Sequence, residues 1–449
     1  MITKSRFLSG LACPKRFWWE VHEPDAAELK PDAGTLWNFR QGQEVGRRAR
    51  AAVPGARYEV TFKTDRILAR ADIVERLPDS SSALIEVKGS NRKKDEHLWD
   101  IAFQLHTARA AGAAVSRAEL MYLNRDVRHP ELDGLFIRED VTDEIAPMLA
   151  GIPARVAELE AVQAGPLPGD LRGPQCRECP FYDRCWPGDP HHVSRFYRLE
   201  TAAKLALEQD GHQRFTDLPD DYKLTAIQQR QRRAAARRGL VVEPGLAKAL
   251  DAWRGPLAFL DFETVSFAIP RFPGTTPWSK IPVQFSAHTE GGRHTAFLAA
   301  DSADPRTQLA TALLDACAGT GAVVAYHASF ERGCVQGLAE AVPELAGPLL
   351  QLHGRIVDLE PVVYNHVYHS DFRGSFSLKV VLPTLVPDTS YAGLAITDGG
   401  MAQLELARLL YGETPLEPDQ DARLRADLLA YCERDTWAMV RLYEVLRGM

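Results

Sequence analysis

Leu257-Ala-Phe-Leu-Asp261-Phe-Glu263-Thr-Val265 reads as a central β-strand, apolar on both faces and still carrying two acids. Side chains at i and i+2 of a strand point the same way, so Asp261 and Glu263 stand side by side. A buried, unpaired carboxylate is costly, and two adjacent ones call for compensation. A divalent cation is the usual compensator, and hard Mg²⁺ or Mn²⁺ suits carboxylate oxygens. A strand end at which both acids reach water would use the same residues.

Further acids follow downstream. Val323–Glu331 reads as an apolar strand that runs through a turn to Glu331, and Tyr431-Cys-Glu-Arg-Asp435 lies in a long amphipathic helix. Tyr431 and Asp435, four apart, share a helix face. Asp-x-Glu on a first strand, an acid after a later strand and Tyr-x-x-x-Asp on a last helix resemble the DEDD exonucleases of RNase H-like fold, in their DEDDy subclass. The chain departs from that pattern at Glu331, where Asp is commoner. Asp358, in Arg355–Leu359, resembles a further acid near such sites. Lys379, in Gly374-Ser-Phe-Ser-Leu-Lys379, stands where these exonucleases often have Ser-Leu-Lys and is a candidate nucleic-acid contact.

A second constellation lies nearer the N-terminus. Cys13 alone says little, but Cys176, Cys179 and Cys185 fall within ten residues of a loop rich in Pro and charge. Together they offer four soft thiolate ligands. Zinc prefers two short Cys-x-x-Cys knuckles, whereas one remote Cys plus a group of three suits a [4Fe–4S] cluster better; zinc stays as the alternative. The layout is similar to the iron–sulfur RecB-like nucleases, and its role would be structural, pinning the N-terminal segment to the far end of its domain. Between these ligands lie a helix over Leu36–Val53 with Glu44, strands near Tyr58–Lys63 and Arg66–Arg76 with Asp72, and Ala83-Leu-Ile-Glu86-Val-Lys88. Asp72…Glu86-Val-Lys88 matches the restriction-endonuclease-like core, PD-(D/E)XK. There Asp72 and Glu86 would hold a divalent ion, and Lys88 would orient or deprotonate the water. By itself Glu-x-Lys is also a common exposed ion pair. Gln104, on the helix Asp95–Ala111, is a candidate nucleic-acid contact. Glu44 is a candidate for completing the metal site, and Asn91-Arg-Lys-Lys94 for gripping phosphates.

At 449 residues, two or three domains are expected. The expected organisation is α/β and multi-domain. Residues 1–190 form a restriction-endonuclease-like domain with the four cysteines, 191–254 a helical connector, and 255–449 an RNase H-like DEDDy domain. Gln228–Arg238, with five arginines, is read as a basic helix of the connector that can track a nucleic-acid backbone. His191 and His192 are expected at the surface, and Ile269–Pro282 as a long loop over the Asp261 site. The net charge of −7 carries no global basic signal, so nucleic-acid contacts must be local. Absence of a signal peptide's apolar core and of a membrane-length run points to the cytoplasm.

Both halves in this order resemble a bacterial family that joins an iron–sulfur RecB-like nuclease domain to a DEDD-type domain catalogued as a domain of unknown function. Where relatives often have Asn before Ala-Ser-Phe-Glu331, this chain has His327. The resemblance implies a metal-dependent nuclease acting on nucleic acid, DNA with single-stranded ends being the expected partner, in repair or in defence against foreign DNA. Asp261, Glu263, Glu331 and Asp435 would hold two Mg²⁺ or Mn²⁺ ions, with Tyr431 orienting or deprotonating water. Two other classes use the same residues: a catalytically reduced nucleic-acid-binding or scaffold protein, and an oxidoreductase using the cluster. The latter lacks a Gly-x-Gly-x-x-Gly nucleotide motif.

Overall fold

Ile67, Ala69, Ala71 and Ile73 are buried and alternate with more exposed neighbours, and this period of two makes Ile67–Arg76 a strand with one face in a core. It is one of thirteen strands in the computed structural model, which describes residues 1–449, a mixed α/β chain that divides into two units.

The first unit comprises Met1–Cys185 and Ser266–Ser279. Its strands are β1 (Ile2–Thr3), β2 (Arg57–Lys63), β3 (Ile67–Arg76), β4 (Ser82–Lys88), β5 (Val115–Leu123) and β6 (Phe136–Asp140). They form one sheet in the order β1-β3-β4-β5-β6, with β2 also paired to β3. β4 and β5 are parallel, and the crossover this requires is the helix Asp95–Ala110. Its Ile101, Phe103 and Leu105 bury themselves in the same core as Leu84 and Leu120 of the sheet. The Pro/Gly-rich segment expected to lie over the Asp261 site belongs instead largely to this unit. Ala268 and Ile269 join Val45, Leu123, Val127 and Leu135 in an apolar cluster. Ala268 donates its N–H to Gln41 Oε1 at 2.9 Å, and Trp278 Nε1 donates to the Gly89 carbonyl at 2.6 Å.

The second unit comprises Trp186–Val265 and Lys280–Met449. Its strands are β7 (Leu240–Val242), β8 (Ala258–Ser266), β9 (Lys280–Thr289), β10 (His294–Leu298), β11 (Val323–Ala325), β12 (Ile356–Asp358) and β13 (Val367–His369). Five of them form a sheet in the order β10-β9-β8-β11-β12, with β8, β11 and β12 parallel and β9 and β10 antiparallel. β8 is therefore central, as its unbroken apolar character predicts. Its entry is a close backbone crossing: Ala322 N–H meets the Arg254 carbonyl at 2.9 Å, and a Cβ on Gly321 would lie 1.9 Å from that oxygen. Only glycine fits there.

Residues 191–254 do not stand apart as a connector. β7 pairs with β13, and Ala234, Val241, Leu246 and Leu250 share a core with Phe259 and Tyr368. The helix Ala226–Arg237 uses three of the five arginines internally. Arg230 is 3% exposed and bonds Glu243 at 3.0 Å and the Tyr364 carbonyl at 2.7 Å. Arg232 bonds the Pro219 carbonyl and Asp220, and Arg233 pairs with Glu243. Arg233 is exposed together with Arg237 and Arg238, but its guanidinium is already held by Glu243, which weakens the helix as a phosphate track. His192, expected at the surface, is buried, with Nδ1 bonded to Ser194 Oγ at 2.9 Å. No helix is long and apolar enough to cross a membrane.

Candidate active sites and thiol cluster

β8 is covered on both faces. Leu260 and Phe262 enter one apolar cluster, and Phe259 enters another that includes Met439 and Leu442 of the helix Pro418–Arg447. Asp261 and Glu263 follow Phe259 on the face turned to that helix. The helix buries Leu428, Tyr431, Cys432, Met439 and Leu442 at spacings of three and four, which fixes the stripe it presents. Tyr431 and Asp435, one turn apart, are thereby brought to β8. Asp261, Glu263 and Asp435 each place an oxygen within 4.8 Å of the other two.

Glu331 sits in the first turn of the helix Ser329–Ala341, and its Oε2 is buried without a hydrogen-bond partner. It lies outside that trio but close enough that its charge raises the pKa of both Asp261 and Glu263. Burial is the main force on all four acids. Asp261 and Glu263 are pushed well above the carboxylate range by burial and then by Asp435. Burial pushes Glu331 up to about 7, with Asp358 adding to it. Asp435 is raised by burial, against the donors Tyr391 and Tyr431 and the Lys379 ammonium. Two buried and two half-buried acids, with Lys379 beside Glu263 and Asp435 and Lys280 near Glu331, are short of positive charge. That donor set fits hard divalent cations.

Three neighbours flank these acids. Lys379 donates to the Thr397 carbonyl at 2.7 Å and to Tyr431 Oη at 3.4 Å, so it belongs to the acidic site. Tyr391, which sequence reasoning missed, donates its hydroxyl to Asp435 Oδ1 at 2.5 Å. Its only local signal is a tyrosine in the polar stretch Pro387-Asp-Thr-Ser-Tyr391. Cys432 is buried and sets its thiol 3.6 Å from Asp261 Oδ2. Asp358 has a different task. Its oxygens accept the N–H groups of His327 and Ala328 at 3.0 Å each and of Glu360 at 3.1 Å, holding the turn that aims Glu331. His327 there has φ 69°, in the left-handed region that Asn and His tolerate better than most residues.

In the first unit, β4 directs Glu86 and Lys88 to one face, where they meet Asp72, Asp100, Gln104 and Lys4. Glu86 Oε1 accepts from Lys4 Nζ and Lys88 Nζ, both at 2.8 Å, and Oε2 accepts from Gln104 Nε2 at 2.7 Å. Lys88 also pairs with Asp100. Asp72 Oδ2 accepts the Val87 N–H at 2.8 Å, and burial followed by the Glu86 charge pushes Asp72 up to about 7. Burial works to raise Glu86 as well, but the Lys88 and Lys4 ammoniums outweigh it and hold the group below the carboxylate range. Burial likewise opposes the charge on Lys88, yet Glu86 and Asp100 win and raise its pKa. The charged form of Lys88 is thereby favoured.

Asp72 and Glu86 are thus brought together, but both Glu86 oxygens are already engaged. The predicted pair fits a divalent ion less well than the acidic set on β8. Gln104, a candidate nucleic-acid contact, is 0% exposed here and bonds both Glu86 and Asp100, holding the two carboxylates in place. Lys4 was not legible as a site residue. Glu44 does not join the site; Arg47 and Arg48 hold its carboxylate at 2.6 and 3.1 Å. Lys93 pairs with Glu139 and Glu144, which takes it out of the predicted phosphate grip. A cleft of about 510 Å³ opens beside Asp72, bordered by Gly42, Gly46, Val87 and Gly89.

Cys13, Cys176, Cys179 and Cys185 line one pocket with Trp19 and Phe181, and all four are free thiols. Burial, and then the neighbouring sulfurs, raise the pKa of Cys185. Gly173 points its N–H at Cys176 Sγ from 3.4 Å. Four thiols lining one pocket supply the soft donors that a soft metal or an iron–sulfur cluster takes.

Residues 258–377 match a family model described as a domain of unknown function, DUF2779. Among solved structures the chain is similar to SSO0001, at 17% identity and a TM-score of 0.27, over 41% of this chain and 87% of that one. It is also similar to the family B DNA polymerase of the hyperthermophilic archaeon Pyrobaculum calidifontis. That match has 14% identity and a TM-score of 0.28, and covers 44% of this chain and 27% of the polymerase. No curated protein matches the chain.

Proposed function

We propose that the second unit is a metal-dependent nuclease centre of DEDDy type in an RNase H-like fold, removing nucleotides 3′→5′ from single-stranded ends, with DNA the expected substrate. The observation that carries this reading is the convergence of Asp261, Glu263 and Asp435 within 4.8 Å on a buried strand and its covering helix. With Glu331 they would hold Mg²⁺ or Mn²⁺, which when bound supplies charge stabilisation at the phosphodiester and acidifies its attacking water. Burial and the nearby carboxylates raise the pKa of Tyr431, so its phenol stays protonated and orients the nucleophile by hydrogen bonding. Tyr391 fixes the rotamer of Asp435, and Lys379 lies within reach of a phosphate oxygen. Incubating the full chain with Mn²⁺ and end-labelled single- and double-stranded DNA and RNA tests the reading. Stepwise shortening of 3′ ends is expected; intact substrates with every nucleic acid would refute it.

For the first unit the saturated Glu86 carboxylate favours a reduced centre, a nucleic-acid-binding platform of restriction-endonuclease type whose metal pair is occluded by Lys4. Lys4→Met is expected to raise Mn²⁺ affinity in this unit. It should also lower metal-free stability by about 3 kcal/mol, because a largely buried ion pair loses one partner. Calorimetric titration and thermal melts measure both, and unchanged Mn²⁺ binding would show that Lys4 occludes nothing. Cys13, Cys176, Cys179 and Cys185 would hold a [4Fe–4S] cluster with a structural task, zinc being the other soft-metal occupant the donor set admits.

A further inference from the structure

β9 and β10 pair in a register that sets His288 directly opposite His294. Their rings stack with centroids 4.4 Å apart and planes at 22°. The helix Pro418–Arg447 packs on this hairpin and adds Glu433. One ligand atom from each of His288, His294 and Glu433 lies within 4.8 Å of the other two.

Hydroxyls orient both rings. Thr436 Oγ1 is 2.8 Å from His288 Nδ1, and Ser286 Oγ is 2.9 Å from His294 Nε2. The two hydroxyls also bond each other at 2.8 Å. Each imidazole thus has one nitrogen held and the other, His288 Nε2 or His294 Nδ1, left for a further partner. His294 Nδ1 faces Glu433 Oε1 at 3.7 Å, longer than a hydrogen bond. An imidazole steadied through its distal nitrogen is how metal-binding histidines are ordinarily supported.

We propose that His288, His294 and Glu433 form a binding site for Zn²⁺ or a similar borderline divalent ion, separate from the carboxylate set on β8. Two imidazoles and one carboxylate are the donors such ions select, whereas Mg²⁺ prefers oxygen ligands alone. Three protein ligands leave a coordination position open to water. The ion ties the middle of the helix to the hairpin. Because Glu433 is two residues from Tyr431 and from Asp435, occupancy fixes the rotation of the segment that presents both. This site does not depend on the nuclease reading.

The test is Zn²⁺ titration of metal-stripped full-length chain in excess Mg²⁺, without nucleic acid, counting ions per chain and their affinities. Wild type, His294→Ala, Glu433→Gln and Asp261→Ala are compared. His294 and Glu433 are exposed and lie on different elements, so one folding defect would not remove both tests. His294→Ala and Glu433→Gln are each expected to weaken one Zn²⁺ by about 100-fold, while Asp261→Ala keeps it. A Zn²⁺ affinity within about threefold of wild type in either ligand variant would overturn the proposal.

Discussion

Asp261→Ala is expected to cut Mn²⁺- or Mg²⁺-dependent digestion by about 10³-fold, because it removes a ligand from the centre of the acidic set. The same substitution should leave the metal-free fold intact or strengthen it, since Asp261 is a half-buried acid repelled by Asp435, Glu263 and Glu331. A pH series separates these effects. Carboxylates ionise at about 4 in the unfolded chain, whereas Glu331 in the folded chain ionises at about 7 and Asp261, Glu263 and Asp435 are also raised. Between those values the folded state keeps protons that the unfolded state has released, so metal-free stability falls as pH rises from about 4 through about 7. Asp72 adds a contribution of the same sign. Bound cations relieve this repulsion and compete with the protons. Stabilisation by Mn²⁺ should therefore be larger at pH 8 than at pH 5, and much smaller in the variant. Melting curves across that range are the measurement. A variant that digests like wild type, or a wild-type melting point indifferent to Mn²⁺ at pH 8, would count against the assignment.

Cys179→Ser is the second substitution with a large expected effect. Cys13 begins the helix Pro14–His22 near the chain start, while Cys176, Cys179 and Cys185 sit at the far end of Met1–Cys185. A metal–thiolate centre there would tie those ends together with a binding free energy on the order of 10 kcal/mol. Loss of one ligand is expected to strip most of the metal and lower the melting temperature of the first unit by about 10 °C or more. Anaerobic purification makes the outcome visible: wild type carrying a [4Fe–4S] cluster is brown and the variant colourless, while a zinc protein is colourless in both forms. Full metal content in Cys179→Ser would remove this thiol from the ligand set.

Local periodicity made the strand residues of both candidate sites legible. The i, i+2 spacing placed Asp261 with Glu263 and Glu86 with Lys88, and the i, i+4 spacing placed Tyr431 with Asp435. Partners that arrive from elsewhere in the chain left no such mark. Tyr391 meets Asp435 across 44 residues, and Lys4 meets Glu86 across 82. Neither sits in a pattern whose period says where it points. Long-range packing also decided the fate of Ile269–Pro282 and of the arginine-rich helix. The first contains Ile269 and Trp278, which find apolar partners around Val45 and Leu123. The second spends its inner arginines on carbonyl and carboxylate acceptors that composition alone does not disclose.

The placement of Ser266–Ser279 bears on how such a chain can be dissected or inherited. An interval of fourteen residues set inside the span of the second unit supplies wall and hydrogen bonds to the unit that begins at Met1. Truncation after Cys185 would strip that unit of Ala268, Ile269 and Trp278, leaving greasy surface exposed. A C-terminal fragment would in turn carry a sticky tongue with nothing to hold. Neither half is an excisable cassette, so recombination that shuffled one without the other would produce a damaged partner at each junction.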